Sequence, residues 1–113
     1  MRLIVDGSNV MGSRPDGWWR DRPAARRRLV AGLESLGPDL SAGGLTIVFD
    51  GRPHPVDEHR IDVRWAPHAD DLIADVAAPG DVVVTSDREL RHRCEAAGAT
   101  VHGARWLLDR LPR

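Results

Sequence analysis

The chain is poor in sulfur. It contains a single cysteine, Cys94, among its 113 residues, which excludes an internal disulfide and a structural zinc site built on several thiolates. One thiol without a targeting segment is typical of a reducing compartment, so we expect a cytoplasmic protein. We expect Cys94 to be a partly buried helix residue, since a catalytic role would need a histidine partner.

Long apolar runs are also missing. No stretch approaches 18 apolar residues, so we expect no membrane-spanning helix and no membrane partner. The apolar run 3–5 is too short for a secretory signal and leads directly into Asp6. A composition of 42% hydrophobic and 29% charged residues is that of an ordinary globular chain, and the length predicts a single domain over residues 1–113.

Lysine is absent, so all 16 basic residues are arginine. Genome base composition explains such a bias without any function, but arginine also suits bidentate phosphate contacts better than lysine does. The net charge of −1 gives no global sign of a nucleic-acid binder. No Gly-rich phosphate loop of either standard type occurs, which places a small-molecule nucleotide binder last among the candidate functions.

Positive charge is nevertheless concentrated between Arg14 and Arg28, where six arginines and two aspartates give a local net charge of +4. The same segment contains two adjacent indoles, and this mixture is typical of surfaces that hold phosphates and stack bases. The alternative is a solvated helix face with the two tryptophans packed beneath it. The residues that we predict to contact RNA are Arg14, Trp18, Trp19, Arg20, Arg26, Arg27 and Arg88.

Apolar runs separated by turn formers predict alternating strands and helices. The order implies a mostly parallel sheet with helices on both faces, which is a three-layer α/β sandwich. A loop is predicted at 11–17, and a short helix is predicted from the Asp70–Asp71 pair to the break at Pro79. The predicted strands are 3–5, 45–49, 61–65, 82–85 and 100–102. The other predicted helices are 24–36, 88–96 and 104–111.

Aspartates follow three of the predicted strands. Asp6, Asp50 and Asp87 each come at or just after the end of an apolar run, and the carboxyl ends of parallel strands meet at one edge of a sheet. Connecting loops can bring the Asp70–Asp71 pair to the same edge. Each aspartate alone is explained as a turn former, a helix cap or a partner of the helix dipole. Several of them converging on one edge point to function.

Crowded carboxylates have a specific chemistry. Unpaired carboxylates that lie close together repel one another and raise each other's pKa, and a divalent cation relieves the conflict. Ligation by oxygen alone, with retained water, is what Mg²⁺ or Mn²⁺ prefers. One or two such ions would activate water, hold a scissile phosphate and stabilise the leaving oxygen, which amounts to phosphodiester hydrolysis.

Four segments in order resemble the NYN domains of the PIN-like nucleases, which are related to the 5′ flap nucleases. They are Asp-Gly-Ser-Asn-Val at 6–10, Phe-Asp-Gly at 49–51, Ala-Asp-Asp at 69–71 and Thr-Ser-Asp-Arg-Glu-Leu at 85–90. The resemblance implies a PIN-like α/β sandwich and a divalent-metal ribonuclease that acts on RNA. It also implies a catalytic set of Asp6, Asp50, Asp70, Asp71 and Asp87, a metal held by Asp6, Asp50, Asp71 and Asp87, and orienting roles for Asn9 and Ser86.

The chain departs from this pattern at His68, where related nucleases often carry glutamate just before Ala-Asp-Asp. A histidine supplies no fixed negative charge, so metal affinity is weaker or the site is smaller; protonated, it could bind a phosphate, and a surface histidine without a role is equally consistent. The alternative to an enzyme is a non-catalytic RNA-binding module on the same fold. The carboxylates separate the two, because a binder does not need negative charge beside a polyanion.

Overall fold

The computed structural model describes residues 1–37, 40, 42–54 and 61–111. Its strands are β1 (Leu3–Asp6), β2 (Leu45–Asp50), β3 (Asp62–Ala66), β4 (Val82–Val84) and β5 (Thr100–His102). Its helices are α1 (Gly7–Gly12), α2 (Arg22–Glu34), α3 (Ala69–Val76), α4 (Arg88–Ala96) and α5 (Ala104–Leu108), with a 3₁₀ turn at Trp18–Arg20.

The strands form one sheet in the order β3-β2-β1-β4-β5, and each pair of neighbours runs parallel. The middle strand, β1, is buried along its whole length, as expected of a strand covered on both faces. β4 is an interior strand between β1 and β5, and its run of valines favours such a position. β3 lies at an edge and is partly exposed, which is typical of a strand whose apolar and polar residues alternate.

Two helical layers cover the sheet. Successive side chains of a strand point to opposite faces, so Leu3 and Val5 pack into one core with α1, α2 and α5. Ile4 packs into the other core with α3 and α4. Leu29 and Leu33, one turn apart on α2, are fully buried in the first core. The predicted three-layer α/β sandwich with a parallel sheet is confirmed.

The largest difference from the predicted elements is α1. A loop was predicted from residue 11, but the helix continues to Gly12. Val10 and Met11 are buried against the first core, and this burial outweighs the low helix propensity of glycine and asparagine. Two other helices end earlier than predicted: α2 ends at Glu34 and α5 at Leu108.

No helix within the described ranges combines the length and the apolar character needed to cross a bilayer. Cys94 lies on α4 and is completely buried in the second core, more deeply than predicted. Burial raises the pKa of its thiol. In this apolar site Cys94 acts as a small core residue.

The junction between β1 and α1 is packed so closely that only glycine fits at position 7. A Cβ atom there would lie 2.7 Å from two ring carbons of Phe49 and 2.9 Å from Cγ1 of Ile47. Both neighbours belong to the buried part of β2, so neither can move aside without disturbing the core.

We therefore expect Gly7→Ala to lower the free energy of unfolding by about 1–3 kcal/mol, measured by urea denaturation. Gly12→Ala is the matched control on the same helix, because its Cβ would come no closer than 3.8 Å to Trp18. The control should be neutral or slightly stabilising. Equal stabilities for the two variants would contradict the close packing described here.

Candidate active site

Three of the predicted aspartates meet at the carboxyl edge of the sheet. β1 lies between β2 and β4, so Asp6 at the end of β1 is flanked by Asp50 at the end of β2 and by Asp87 just after β4. Asp6 is only 6% exposed, whereas Asp50 and Asp87 are exposed. The edge therefore has one buried carboxyl group with an exposed one on either side.

The buried carboxyl group of Asp6 is held by neighbouring polar groups. The hydroxyl of Thr85 donates to Oδ2 of Asp6 over 2.8 Å, and the backbone N–H of Asn9 also donates to this carboxyl group. Oγ1 of Thr85 in turn accepts the backbone N–H of Asp87 over 3.1 Å. Thr85 thus connects the ends of β1 and β4.

The pKa of Asp6 is raised from 3.8 to about 6. Burial is the largest cause, because it disfavours the charged form. The hydrogen bonds from Thr85 and Asn9 lower the pKa, while the negative charges of Asp50 and Asp87 raise it further. The charges of Asp50 and Asp87 therefore lie close enough to affect the carboxyl group of Asp6.

Both flanking aspartates accept hydrogen bonds from the first turns of helices. Oδ1 of Asp50 accepts the backbone N–H of Ala69 at the start of α3 over 2.9 Å. Oδ1 of Asp87 accepts the backbone N–H of Leu90 in α4 over 3.1 Å. Asp87 is the N-cap residue of α4, so the simpler explanation of it as a helix cap is correct. Asp50 bonds to α3 from the end of β2, and His68 is the N-cap residue of that helix. Neither bond excludes a second role, since each engages one oxygen of a group that has two.

The predicted orienting residues hold the turn between β4 and α4. Oδ1 of Asn9 accepts the backbone N–H of Ser86 over 2.8 Å. Oγ of Ser86 accepts the backbone N–H of Ala104 over 2.9 Å. The turn that carries Asp87 is therefore fixed to both α1 and α5.

The Asp70–Asp71 pair lies in the first turn of α3, as predicted. Asp71 forms an ion pair with Arg93 of α4, with 2.9 Å between Oδ1 and Nη1, and Oδ1 of Asp70 accepts the backbone N–H of Asp71 over 3.0 Å. Exposed His68 precedes the helix without a side-chain capping bond. Across the described residues, no three His, Cys, Asp or Glu side chains are placed to hold a metal ion, so the metal set stays a prediction.

One predicted RNA-contacting arginine lies against the edge strand β3. The guanidinium of Arg26 is 5.4 Å from the centre of the Trp65 ring. Trp65 pairs in register with Phe49, the residue before Asp50, and the centres of these two rings are 5.1 Å apart. Burial and the charges of Arg22 and Arg27 lower the pKa of Arg26, so three cations share this part of α2.

The other predicted RNA-contacting residues are distributed over the surface. Trp18 is half-buried against the first core, which fits the packed alternative, whereas Trp19 is 57% exposed with Arg20 located 5.7 Å from its ring. Arg27 and Arg88 are exposed, and Arg88 directly follows Asp87. Arg14 lies apart, with Arg28, on a groove of about 700 Å³ between α2 and α5.

Sequence reasoning missed Thr85 and Trp65. Thr85 has a local signal, because it is a hydroxyl at the end of an otherwise apolar strand and directly precedes Ser86 and Asp87. Trp65 has none, because its place beside Phe49 depends on the register between β2 and β3.

Comparisons with known proteins place these features in context. No protein-family model matches the chain. A UPF0178 protein of Rhodopseudomonas palustris is 42% identical over 71 residues, which are 63% of this chain and 43% of that protein. A UPF0178 protein of Bradyrhizobium diazoefficiens is 67% identical over 33 residues, which are 29% of this chain and 20% of that protein. The chain thus spans less than half the length of the curated relatives it matches.

Two solved structures are similar in fold. Rae1 (YacP) from Bacillus subtilis has a TM-score of 0.76 at 24% identity, covering 96% of this chain and 72% of that one. A tryptophan-to-leucine variant of the same protein has a TM-score of 0.78 at 26% identity, with the same coverage. The likeness confirms the predicted PIN-like fold. Assignment to the NYN branch stays a prediction.

The raised pKa of Asp6 yields a prediction about stability. Above about pH 6 the folded protein contains a buried charge that the unfolded chain exposes to water, and below about pH 4 the group is neutral in both states. The contribution of Asp6 to the free energy of unfolding therefore falls as pH rises from about 4 to 6, by up to about 3 kcal/mol. Asp6→Asn should raise the free energy of unfolding at pH 7.5, but hardly at pH 4.

The measurement is urea denaturation at both pH values in EDTA. Asp75→Asn is the control, because it makes the same change at an exposed position of α3. A variant Asp6→Asn that is no more stable than the parent at pH 7.5 would show that the buried charge is not costly.

Proposed function

We propose that the chain is a divalent-metal-dependent ribonuclease that hydrolyses RNA phosphodiester bonds at the aspartates of its carboxyl edge. The observation that carries the proposal is the buried Asp6 between Asp50 and Asp87. Such an arrangement costs stability and has no packing advantage, and perturbed carboxyl groups of this kind concentrate at functional sites. The PIN-like fold shared with Rae1 supports a nuclease-type enzyme.

The donor chemistry of the edge fits Mg²⁺ or Mn²⁺, since carboxylate oxygens are the ligands that these ions prefer. A cation would also offset the repulsion that raises the pKa of Asp6. Asp50 and Asp87 are exposed, so their side chains have room to turn towards Asp6. When bound, the ion supplies an activated water and positive charge for the phosphate.

The residues of the chain have separate tasks in this proposal. Asp6 is mostly ionised at pH 7, with a pKa of about 6, and its carboxylate would be the central ligand of the ion. Thr85 orients that carboxylate through Oδ2. Asn9 and Ser86 keep the turn before Asp87 in place. Arg26 offers its N–H groups to a neighbouring phosphate while its flat face rests near Trp65.

The test is cleavage of labelled single-stranded RNA, single-stranded DNA and duplexes, with Mn²⁺ or with EDTA. We expect RNA cleavage with Mn²⁺ and none with EDTA. Asp6→Asn should slow cleavage at least about 100-fold, because it removes the central carboxylate ligand of the ion. Asp75→Asn should cleave like the parent. Intact RNA after long incubation with Mn²⁺ would overturn the proposal.

Metal binding can be measured through protein stability, without an assay of RNA cleavage. If Mn²⁺ binds only the folded protein, a concentration of about 100 times Kd should add roughly 2.7 kcal/mol to the free energy of unfolding. Asp6→Asn should largely abolish this gain. An unchanged melting temperature of the parent protein in Mn²⁺ would show that the edge is not a metal site.

A second candidate function is an RNA-binding module without catalysis. It is favoured by the ion pair between Asp71 and Arg93 and by the lack of a ready metal cluster in the described ranges. This candidate predicts salt-sensitive RNA binding that EDTA and Asp6→Asn leave unchanged. Replacing Arg26, Arg27 and Arg28 by glutamine should weaken that binding; unaltered binding would remove this candidate.

A further inference from the structure

A second group of hydrogen-bond donors lies on the opposite flank of the acidic edge from Arg26, between β4, α4 and α5. Its centre is Ser86, which directly precedes Asp87. Ser86 also lines a pocket of about 350 Å³, whose other walls are Ser13, Pro15, Ala104, Arg105, Leu108 and Asp109.

Ser86 is held so that its hydroxyl can donate. Its backbone N–H donates to Asn9, and its Oγ accepts the backbone N–H of Ala104 over 2.9 Å. A hydroxyl that accepts one hydrogen bond keeps its own hydrogen for a different acceptor. The hydroxyl is therefore a positioned donor on a turn fixed from two sides.

A gap of about the size of a methyl group lies at Gly103, between this hydroxyl and a guanidinium. A Cβ atom at Gly103 would lie 3.5 Å from Oγ of Ser86 and 3.5 Å from Nη1 of Arg91. The backbone of Gly103 has φ −75° and ψ 168°, a conformation that any residue adopts. The conformation does not require glycine, and its missing side chain leaves room between a hydroxyl and a guanidinium.

The charges around this space favour an anion. Arg91 approaches from α4, and Arg105 lines the adjoining pocket from α5. Asp109, one turn after Arg105, contributes a carboxylate to the same pocket. A hydroxyl and a guanidinium that face one small space are the donors with which proteins bind phosphate.

We propose that Ser86, Arg91 and Gly103 form a phosphate subsite that holds a second phosphate of the nucleic acid, beside the phosphate at the aspartates. The nature of this ligand rests on the proposed function. The phosphate is either an internal phosphodiester or the terminal phosphate of the strand, and the subsite recognises the chemistry that both share. Because Ser86 adjoins Asp87, the strand crosses the acidic edge between this subsite and Arg26.

The test is binding of a short single-stranded RNA in EDTA, followed by fluorescence anisotropy. Gly103→Ala fills the space without removing charge, and we expect it to weaken binding about threefold to tenfold with an unchanged salt dependence. Arg91→Gln should weaken binding to a similar degree and also reduce the salt slope by about 0.7, the value for one contact to single-stranded nucleic acid.

Arg64→Gln is the control, because it removes an arginine that pairs with Asp62 on the edge strand β3; it should bind RNA like the parent. Parent-like binding by Gly103→Ala or by Arg91→Gln, or an equal loss in Arg64→Gln, would overturn the subsite. If thermal melts show that Gly103→Ala does not fold, Ser86→Ala replaces it with the same expectation.

Two RNAs identify which phosphate is held. If the two variants lose affinity equally for RNA with a 5′-hydroxyl and for RNA with a 5′-phosphate, the subsite holds an internal phosphodiester. Loss confined to the 5′-phosphorylated RNA supports a terminal phosphate. Because binding is read without metal, a failure of Mn²⁺-dependent cleavage would overturn the proposed function and leave this result standing.

Discussion

The hydrogen bond from Thr85 to Asp6 is the interaction on which the edge depends. Asp6 lies at the end of the middle strand and is only 6% exposed. Its carboxyl group tolerates this burial because the hydroxyl of Thr85 donates a hydrogen bond to it. The bond also connects β1 to β4 and, through the backbone of Asp87, positions the next carboxylate. Thr85 thus contributes to the placement of two of the three acidic groups.

The strands and their acidic ends could be predicted from the sequence because both signals are local. An apolar run followed by Asp-Gly marks where β1 and β2 end, and a parallel sheet then brings those ends together. The ion pair between Asp71 and Arg93 could not be predicted in this way. It joins the faces of two helices, and which faces meet depends on the packing of the second core.

The tryptophans show the same limit. The sequence gives Trp18 and Trp19 the same predicted role, because they are adjacent. In the structure Trp18 packs against the core and Trp19 is exposed. The 3₁₀ turn that they share points adjacent side chains in different directions. In the sequence, Trp65 is only one apolar residue of a partly exposed strand. Its significance comes from a register that places it beside Phe49, the residue before Asp50, and from its contact with Arg26.

The distribution of charge separates holding a nucleic acid from cutting it. Phosphates are repelled by Asp6, Asp50 and Asp87 at the centre and attracted by Arg26 on one flank and by Arg91 on the other. A strand can therefore be held by its flanks while its central phosphate is kept away from the carboxylates. In the proposed function, a divalent cation would reverse the sign of the central field, so the central phosphate would need it to approach while the strand would not need it to bind. Under that proposal, affinity comes from the arginines and reactivity from the aspartates.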